Sequence, residues 1–166
     1  MSEKPILIYP DTVLKTKAQE IENIDQDLVD LCEDMKKSMY AAPGVGLAAP
    51  QVGYSKRLIL VDPTAGKSSD TLMVVLNPVI VESEGAVTDS EMCLSVPEVS
   101  VDVKRFKKIL VKGKSISGKD IKIEAEEYLA RIFQHEIDHL DGKVILDYAS
   151  FLKRSLYLKK MKKGKV

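Results

Sequence analysis

The stretch QHEIDHLDG at residues 134–142 decides how this chain is organised. On an α-helix, positions four apart lie on one face, so the imidazoles of His135 and His139 can reach the same ion. Glu136 lies beside them and can take a proton from a water molecule at that ion. The chain contains only two histidines, and both are here. This concentration favours a hydrolytic metal site over a chance pair of histidines.

Two imidazoles need at least one more protein ligand to complete such a site. No histidine follows His139; Asp147 is available, and Asp141 is too close along the helix to close the site easily. Cys93, in the bend-prone segment EMCLSVP at 91–97, is the better candidate. One thiolate and two imidazoles leave a tetrahedral metal an open position for water, as in catalytic sites. A buried structural cysteine is the alternative interpretation of Cys93.

Three helices are predicted around this stretch. From Glu124 the apolar spacing becomes helical, and Gly142 ends that helix. An earlier helix is predicted from Asp25 to Tyr40, with Cys32 on its apolar face as a core residue. The last helix is expected to begin near Asp147 and to continue into the C-terminal tail.

The middle of the chain predicts short strands separated by turns. Asn77-Pro78 is expected to end one strand before the next, and Ser117-Gly118-Lys119 to join the last two as a hairpin. With the three helices, these strands predict an α+β fold of small antiparallel or mixed sheets around a central metal-binding helix. The predicted strands are Leu58–Val61, Leu72–Leu76, Val79–Glu82, Val99–Val103, Ile109–Lys114 and Ile121–Ala125.

Length and composition predict one globular domain over residues 1–166. The chain has 166 residues, of which 45% are hydrophobic and 30% charged, an ordinary globular balance. No apolar run is long enough to span a bilayer, and the first residues lack a signal-peptide pattern. These features predict a bacterial cytoplasmic protein with no membrane partner. Two cysteines in such a chain make a disulfide framework unexpected.

Charge is unevenly distributed, although the net charge is zero. From Lys153 to the end there are seven basic residues and no acidic residue, so by subtraction the rest of the chain carries a charge of minus seven. A basic helix or tail over 147–166 can bind RNA or another polyanion. A solvated helix end is the simpler interpretation from charge alone.

A third segment, GVGLAAPQ at residues 44–51, has glycines and small residues that let a substrate chain approach closely. Gln51 can donate a hydrogen bond to a developing oxyanion. The segment lacks the lysine and the spacing of a phosphate-binding loop. Taken alone, it is typical of an ordinary loop.

Together these three segments, Gly44–Gln51, Glu91–Ser95 and Gln134–Gly142, resemble the peptide deformylase family in content and order. The resemblance covers nearly the whole chain. It implies a metal-dependent hydrolase that removes the formyl group from the N-terminal formyl-methionine of newly made polypeptides and releases formate.

The resemblance also implies roles for individual residues. Cys93, His135 and His139 would hold one divalent transition metal per chain, natively Fe²⁺, with Zn²⁺, Ni²⁺ or Co²⁺ able to replace it. Glu136 would take a proton from the attacking water and pass it to the departing amine. The Gln51 side chain and the Leu94 backbone N–H would stabilise the tetrahedral oxyanion.

A methionine pocket is implied in front of His135, and the substrate backbone would add as a strand along the edge near Val45, Gly46 and Met92. Asp138 is expected to pair with Arg105. The residues implied in substrate binding are Val45, Gly46, Glu91, Met92, Leu94, Tyr128, Arg131 and Ile132.

Two positions depart from the family pattern. Met92 stands where the family usually has glycine before the metal cysteine, and Ser100 stands where some members have arginine. Two alternatives are a zinc endopeptidase and a catalytically idle homologue that only binds formylated ends or ribosomes. The absence of a histidine downstream of His139 argues against the endopeptidase. Turnover of a formyl-methionine peptide would distinguish a deformylase from the idle homologue. The expected partners are nascent formyl-methionine polypeptides and the ribosome, which the basic tail would contact. No DNA binding is expected, and the protein is expected to act as a monomer.

Overall fold

The computed structural model describes residues 2–164. Over these residues the chain has an α+β fold, which confirms the predicted class. Lys165 of the predicted basic tail lies outside the described residues. The α-helices are α1 Gln26–Ala41, α2 Glu127–Leu140 and α3 Phe151–Lys162, and the strands are β1 Gly46–Ala48, β2 Leu58–Val61, β3 Met73–Glu84, β4 Val87–Cys93, β5 Val96–Arg105, β6 Lys108–Lys114 and β7 Asp120–Glu126.

The strands form two antiparallel sheets. Five strands are ordered β1-β2-β3-β6-β7, and β4 pairs only with β5. The short strand β1 is therefore an edge strand, and it packs beside α2. The predicted hairpin is present as β6 and β7, which pair from Lys108↔Glu126 to Lys114↔Asp120.

Helix α2 is held by one apolar face. Ala130, Phe133 and Leu140 are fully buried and pack against strands β2, β3 and β6 of the large sheet. Burying a side chain such as Phe133 stabilises the fold by about 2–3 kcal/mol. As predicted, the helix ends before Gly142, whose φ is +76°. A Cβ there would lie 2.8 Å from the Lys15 carbonyl oxygen, so glycine is needed for conformation and for space.

Helix α1 begins one residue later than predicted because Asp25 is its N-cap. The Asp25 carboxylate accepts a hydrogen bond from the Leu28 N–H, which satisfies one of the free donors of the first turn. Cys32 is buried in the cluster that α1 forms with β2, which confirms its predicted place in the core.

The predicted strand break at Asn77-Pro78 is wrong. β3 runs through it as a single strand, and its register with β6 shifts between Leu76 and Val79. Asn77 takes a φ of +50°, and its side-chain amide bonds both the N–H and the carbonyl of Ile21. The irregularity is a bulge, where a proline needs no ladder hydrogen bond.

The start predicted for the last helix is also wrong. Residues Ile145–Tyr148 form a separate 3-10 turn, in which the Asp147 carboxylate bonds the Val144 N–H. Ser150 caps α3 by accepting from the Lys153 N–H. Within the described residues, no helix is long and apolar enough to cross a membrane.

Candidate metal centre

The three predicted metal ligands meet at one point. Cys93 ends β4, while His135 and His139 lie one turn apart on α2. One ligand atom from each of the three lies within 4.8 Å of the other two. The Cys93 sulfur is 3.3 Å from His139 Nε2. One sulfur and two imidazole nitrogens suit Zn²⁺, Fe²⁺, Ni²⁺ or Co²⁺ and not Mg²⁺ or Ca²⁺, so the residues present fit a transition metal.

Gln51 fixes the turn that carries Cys93. Its side-chain oxygen accepts from the Ala48 N–H at 2.9 Å, and its Nε2 donates to Ser95 Oγ at 3.1 Å. Nε2 also lies 3.8 Å from the Cys93 sulfur. Gln51 is therefore buried and oriented, with its amide nitrogen beside the metal ligands.

His135 is oriented by Glu91. Its Nδ1 lies 2.9 Å from Glu91 Oε1, so its Nε2 is left for the ion. Arg105 binds both carboxylate oxygens of Glu91, at 2.8 and 2.9 Å, and Arg131 reaches Oε2 at 2.5 Å. Burial would raise the pKa of Glu91, but hydrogen bonds and charges from Arg105 and His135 lower it to about 2. Glu91 is therefore an anion at neutral pH.

The two histidines have opposite protonation tendencies. Burial lowers the pKa of His135, but Cys93 and Glu91 more than offset this and hold that pKa well above the usual value. Burial and the neighbouring His135 charge hold the pKa of His139 well below the usual value. The lowered pKa favours the neutral imidazole of His139, the form that binds metals.

Glu136 lies between α2 and the edge strand β1. Burial raises its pKa to about 7, although the nearby His135 charge lowers it. Its Oε2 has no hydrogen-bond partner among residues 2–164. A Cβ on Gly46 would lie 2.6 Å from Glu136 Oε1, so only glycine leaves room for this carboxyl. Glu136 can accept and return a proton near neutral pH.

A cavity of about 580 Å³ opens over this centre. It is lined by every residue predicted for substrate binding and by Gln51, Cys93, His135 and Glu136, whereas His139 lies behind them. Met92 lies on the cavity rim with 72% of its surface exposed, so its side chain does not fill the cavity. The predicted lining residues that the structure brings together are Val45, Gly46, Glu91, Met92, Leu94, Tyr128, Arg131 and Ile132.

Sequence reasoning missed part of this site. Arg131 lines the cavity as predicted, and its guanidinium also binds Glu91 and the carbonyls of Val103 and Val87, contacts that the sequence does not predict. Lining residues that were not predicted are Pro43, Gly44, Ser90, Pro97 and Glu98. Gly44 and Pro97 lie at the ends of the segments 44–51 and 91–97 that the sequence singles out, and Pro43 and Ser90 directly precede those segments.

The predicted pair of Asp138 and Arg105 is present. Arg105 NH1 lies 2.6 Å from Asp138 Oδ2. The same carboxylate oxygen accepts from the Tyr148 hydroxyl at 2.6 Å, a contact that sequence reasoning did not anticipate.

Comparison with known proteins agrees with this geometry. The family model described as "Polypeptide deformylase" matches residues 3–155. A peptide deformylase of Thermodesulfovibrio yellowstonii is 50% identical over 157 residues, 95% of each chain. A peptide deformylase of Desulfotalea psychrophila is 48% identical over 159 residues, covering 95% of this chain and 94% of that one.

Solved structures are similar over almost the full length. The peptide deformylase of Legionella pneumophila superposes with a TM-score of 0.93 at 42% identity, covering 99% of this chain and 96% of that one. The Ehrlichia chaffeensis enzyme in complex with actinonin gives a TM-score of 0.91 at 36% identity, covering 99% of each chain.

Proposed function

This chain belongs to the polypeptide deformylase family, and we propose that Cys93, His135, His139 and Glu136 carry out its reaction. The reaction is hydrolysis of the amide that joins a formyl group to the N-terminal methionine of a newly made polypeptide. One observation carries the assignment of residues. A sulfur and two imidazole nitrogens lie within 4.8 Å of one another beside a buried carboxyl group on the cavity floor.

Cys93, His135 and His139 are the proposed ligands of one divalent metal, with Fe²⁺ as the native ion. Zn²⁺, Ni²⁺ and Co²⁺ suit the same sulfur and nitrogen donors. When bound, such an ion supplies an activated water molecule and polarises the formyl carbonyl. The orientation of His135 by Glu91 and the 3.3 Å distance from the Cys93 sulfur to His139 Nε2 both support this proposal.

Glu136 is the proposed proton carrier. It takes a proton from the water that attacks the formyl carbon and returns it to the nitrogen of the departing amine. Its pKa of about 7 suits both steps at neutral pH. A cation beside the carboxyl would lower this pKa and favour the proton-accepting form at the start of the reaction.

Gln51 and Leu94 are the proposed donors to the oxyanion that forms on the formyl carbon. One hydrogen of the Gln51 amide is used by Ser95 Oγ. The other is directed toward the ligand cluster, as the weak 3.8 Å contact with the Cys93 sulfur indicates. The Leu94 N–H belongs to the turn that follows Cys93, which supports its position beside the same carbon.

The substrate backbone is proposed to pair with the free edge of β1. The Val45 carbonyl already accepts from the Asp62 N–H at 2.7 Å. Because an antiparallel ladder alternates its bonding direction, the N–H and carbonyl of the next residue, Gly46, point to the open edge. Ala48, two residues on, points its N–H the same way, toward Gln51. An extended peptide can therefore add beside Gly46.

The methionine side chain is proposed to enter the apolar part of the cavity. Val45, Leu94, Tyr128 and Ile132 line it. Glu91 and Arg131, which also line the cavity, neutralise each other through a contact of 2.5 Å. An unbranched thioether suits such a pocket, because it is flexible and polarizable.

Formate release from formyl-Met-Ala-Ser tests this proposal. We expect release by anaerobically purified, iron-loaded protein and none by Glu136→Ala with the same iron content. A wild-type protein that holds its metal and releases no formate would contradict the assignment. Met92→Gly would then show whether the rim residue blocks entry.

We further propose that the chain is one domain over residues 1–166 that acts as a monomer in the bacterial cytosol. Both sheets are tied to α2, the large one by apolar packing and the small one through Arg131. This arrangement supports a single folding unit.

The basic end of α3 is proposed to bind ribosomal RNA. Removing the chain from Lys153 onward would be a poor test, because Tyr157 is buried in the core cluster that contains Cys93. Lys159, Lys160, Lys162 and Lys163 are exposed and can be replaced by glutamine instead. We expect weaker and less salt-dependent ribosome binding by this variant. Equal binding by both proteins would exclude the proposed contact.

A further inference from the structure

Tyr148 lies on the 3-10 turn between α2 and α3, outside the cavity that holds the metal ligands. Its hydroxyl donates to Asp138 Oδ2 at 2.6 Å. Arg105 NH1 lies 2.6 Å from the same oxygen, and the Arg105 guanidinium carbon lies 5.1 Å from the centre of the Tyr148 ring. Tyr148 therefore contacts both members of the Asp138–Arg105 ion pair.

Direct contacts continue from this pair to His135. Arg105 is 5% exposed and donates through Nε and NH2 to the two oxygens of Glu91. Glu91 in turn bonds His135 Nδ1 at 2.9 Å. The same guanidinium thus binds Asp138 with one nitrogen and Glu91 with the other two.

The geometry points to Tyr148 as a positioning residue for the metal centre: through Asp138 and Arg105 it holds Glu91 against His135 and slows loss of the metal. This inference rests on the proposed metal site. The hydrogen-bond partners of the Tyr148 hydroxyl are Asp138 and Arg105, neither of which is a proposed metal ligand. Tyr148 acts by fixing the Asp138 carboxylate, and this carboxylate holds the Arg105 nitrogen that does not bind Glu91.

A second cavity lies beside these three side chains and leaves space into which they could move. It measures about 350 Å³ and is lined by Arg105, Asp138 and Tyr148. Without the Tyr148 hydroxyl, the Asp138 carboxylate and the Arg105 guanidinium have room to move into this space. Each movement would lengthen a contact that supports Glu91.

Tyr148→Phe isolates the hydroxyl because it keeps the ring that lies over Arg105. Tyr40→Phe is the matched control, since the Tyr40 hydroxyl also donates to a carboxylate, Asp62, at 2.6 Å. Tyr40 does not line the metal-site cavity. Both variants lose one hydroxyl–carboxylate hydrogen bond, and the bond from Tyr40 to Asp62 is the more buried of the two, so an effect of stability alone would be at least as large in the control.

The experiment loads the full-length protein with Co²⁺ and follows the thiolate-to-cobalt absorption band after addition of excess EDTA. Replacement of a residue that supports a metal ligand typically costs about 10–100-fold in metal affinity. We expect Arg105→Lys to accelerate cobalt release within that range, Tyr148→Phe by about 3–10-fold as the more distant member of the chain, and Tyr40→Phe not at all.

The outcomes are distinct. Equal release rates for Tyr148→Phe and Tyr40→Phe, with a normal cobalt band in wild type, would overturn the positioning role and leave the metal site intact. A wild-type protein with no thiolate-to-cobalt band would overturn the proposed metal site itself. Tyr148→Phe should also add little in the Arg105→Lys background, and full additivity there would exclude coupling through Arg105.

Discussion

The two walls of the cavity each bury one glutamate, and the two carboxyl groups behave in opposite ways. Glu136, on α2, is 4% exposed, and burial raises its pKa to about 7. Glu91, on β4, is 6% exposed, but hydrogen bonds and charges from Arg105 and His135 outweigh burial and lower its pKa to about 2. Two carboxyl groups that solvent hardly reaches therefore differ in charge: Glu91 is an anion at neutral pH, whereas Glu136 can exchange a proton there, as the proposed proton carrier must.

The difference lies in what surrounds each group. Arg105 and Arg131 both bind Glu91, whereas one Glu136 oxygen has no partner among the described residues. Glu91 is thus suited to orienting His135, and Glu136 to moving protons. Removing one or the other should damage different steps.

The largest effect is expected from Glu136→Gln. Glutamine keeps the shape of the side chain but cannot accept a proton, so kcat/KM should fall by about 10²–10⁴-fold. Metal content should be unchanged because Glu136 is not a proposed ligand. Formate release and metal analysis on the same samples check both points. Turnover close to that of wild type would remove Glu136 from the chemistry.

Gly46→Ala should have the next largest effect. The new Cβ would lie 2.6 Å from Glu136 Oε1 and displace the carboxyl. A displacement of this kind can cost about 10²-fold in rate. Gly113→Ala is the matched control, because its Cβ would lie 2.6 Å from Val75 Cγ1, an equally close contact outside the cavity. Equal losses of kcat in the two variants would argue against a specific contact with Glu136.

Glu91→Gln should act mainly on metal binding. The neutral amide loses the charge that holds His135, Arg105 and Arg131 together, and metal affinity should fall by about 10–100-fold. Turnover per metal-loaded molecule should fall much less than in Glu136→Gln. Chelator competition measures the affinity. If Glu91→Gln keeps its metal affinity and loses turnover, Glu91 does not act mainly by supporting the metal ligand His135.

The sequence was sufficient for the elements whose chemistry is local. Helical spacing and Gly142 predicted α2, and the two histidines with Glu136 and Cys93 were selected by their chemistry and spacing. Strand β4 was missed because most of its side chains are exposed and polar, so its hydrophobic pattern is weak. The sequence predicts a loop at strand β1, because three residues are too few to show a hydrophobic period.

Contacts between distant segments could not be predicted from pattern alone. Arg131 lines the cavity as predicted, but the sequence pattern does not show that its guanidinium binds Glu91, 40 positions earlier in the chain. Nothing in the local sequence of Tyr148 indicates that its hydroxyl meets Asp138. Such contacts depend on how β4, β5 and the 3-10 turn pack around α2.

Another buried carboxylate, Asp62, extends the comparison. Hydroxyl groups donate hydrogen bonds to Asp62, whereas arginines donate to Glu91. Burial would raise the pKa of Asp62, but hydrogen bonds from Tyr40, Thr71 and Thr64 hold it well below the ordinary value of 3.8. A lowered pKa stabilises the fold above about pH 4, and this stabilisation is lost as the pH falls through the folded-state pKa. Tyr40→Phe should therefore lower the free energy of unfolding by about 2 kcal/mol at neutral pH.

The difference between wild type and Tyr40→Phe should narrow at both ends of the pH range. In acid, Asp62 becomes protonated, and the hydrogen bond that it accepts from Tyr40 in wild type becomes weaker. The advantage of wild type over Tyr40→Phe therefore decreases. At high pH, burial and the bond to Asp62 raise the pKa of Tyr40 to about 12 from its ordinary 10.0, so this stabilisation is complete below pH 10 and is lost as the pH rises through 12. Urea unfolding across this range measures the difference. A constant difference at every pH would show that Tyr40 contributes through packing and not through its bond to an ionised Asp62.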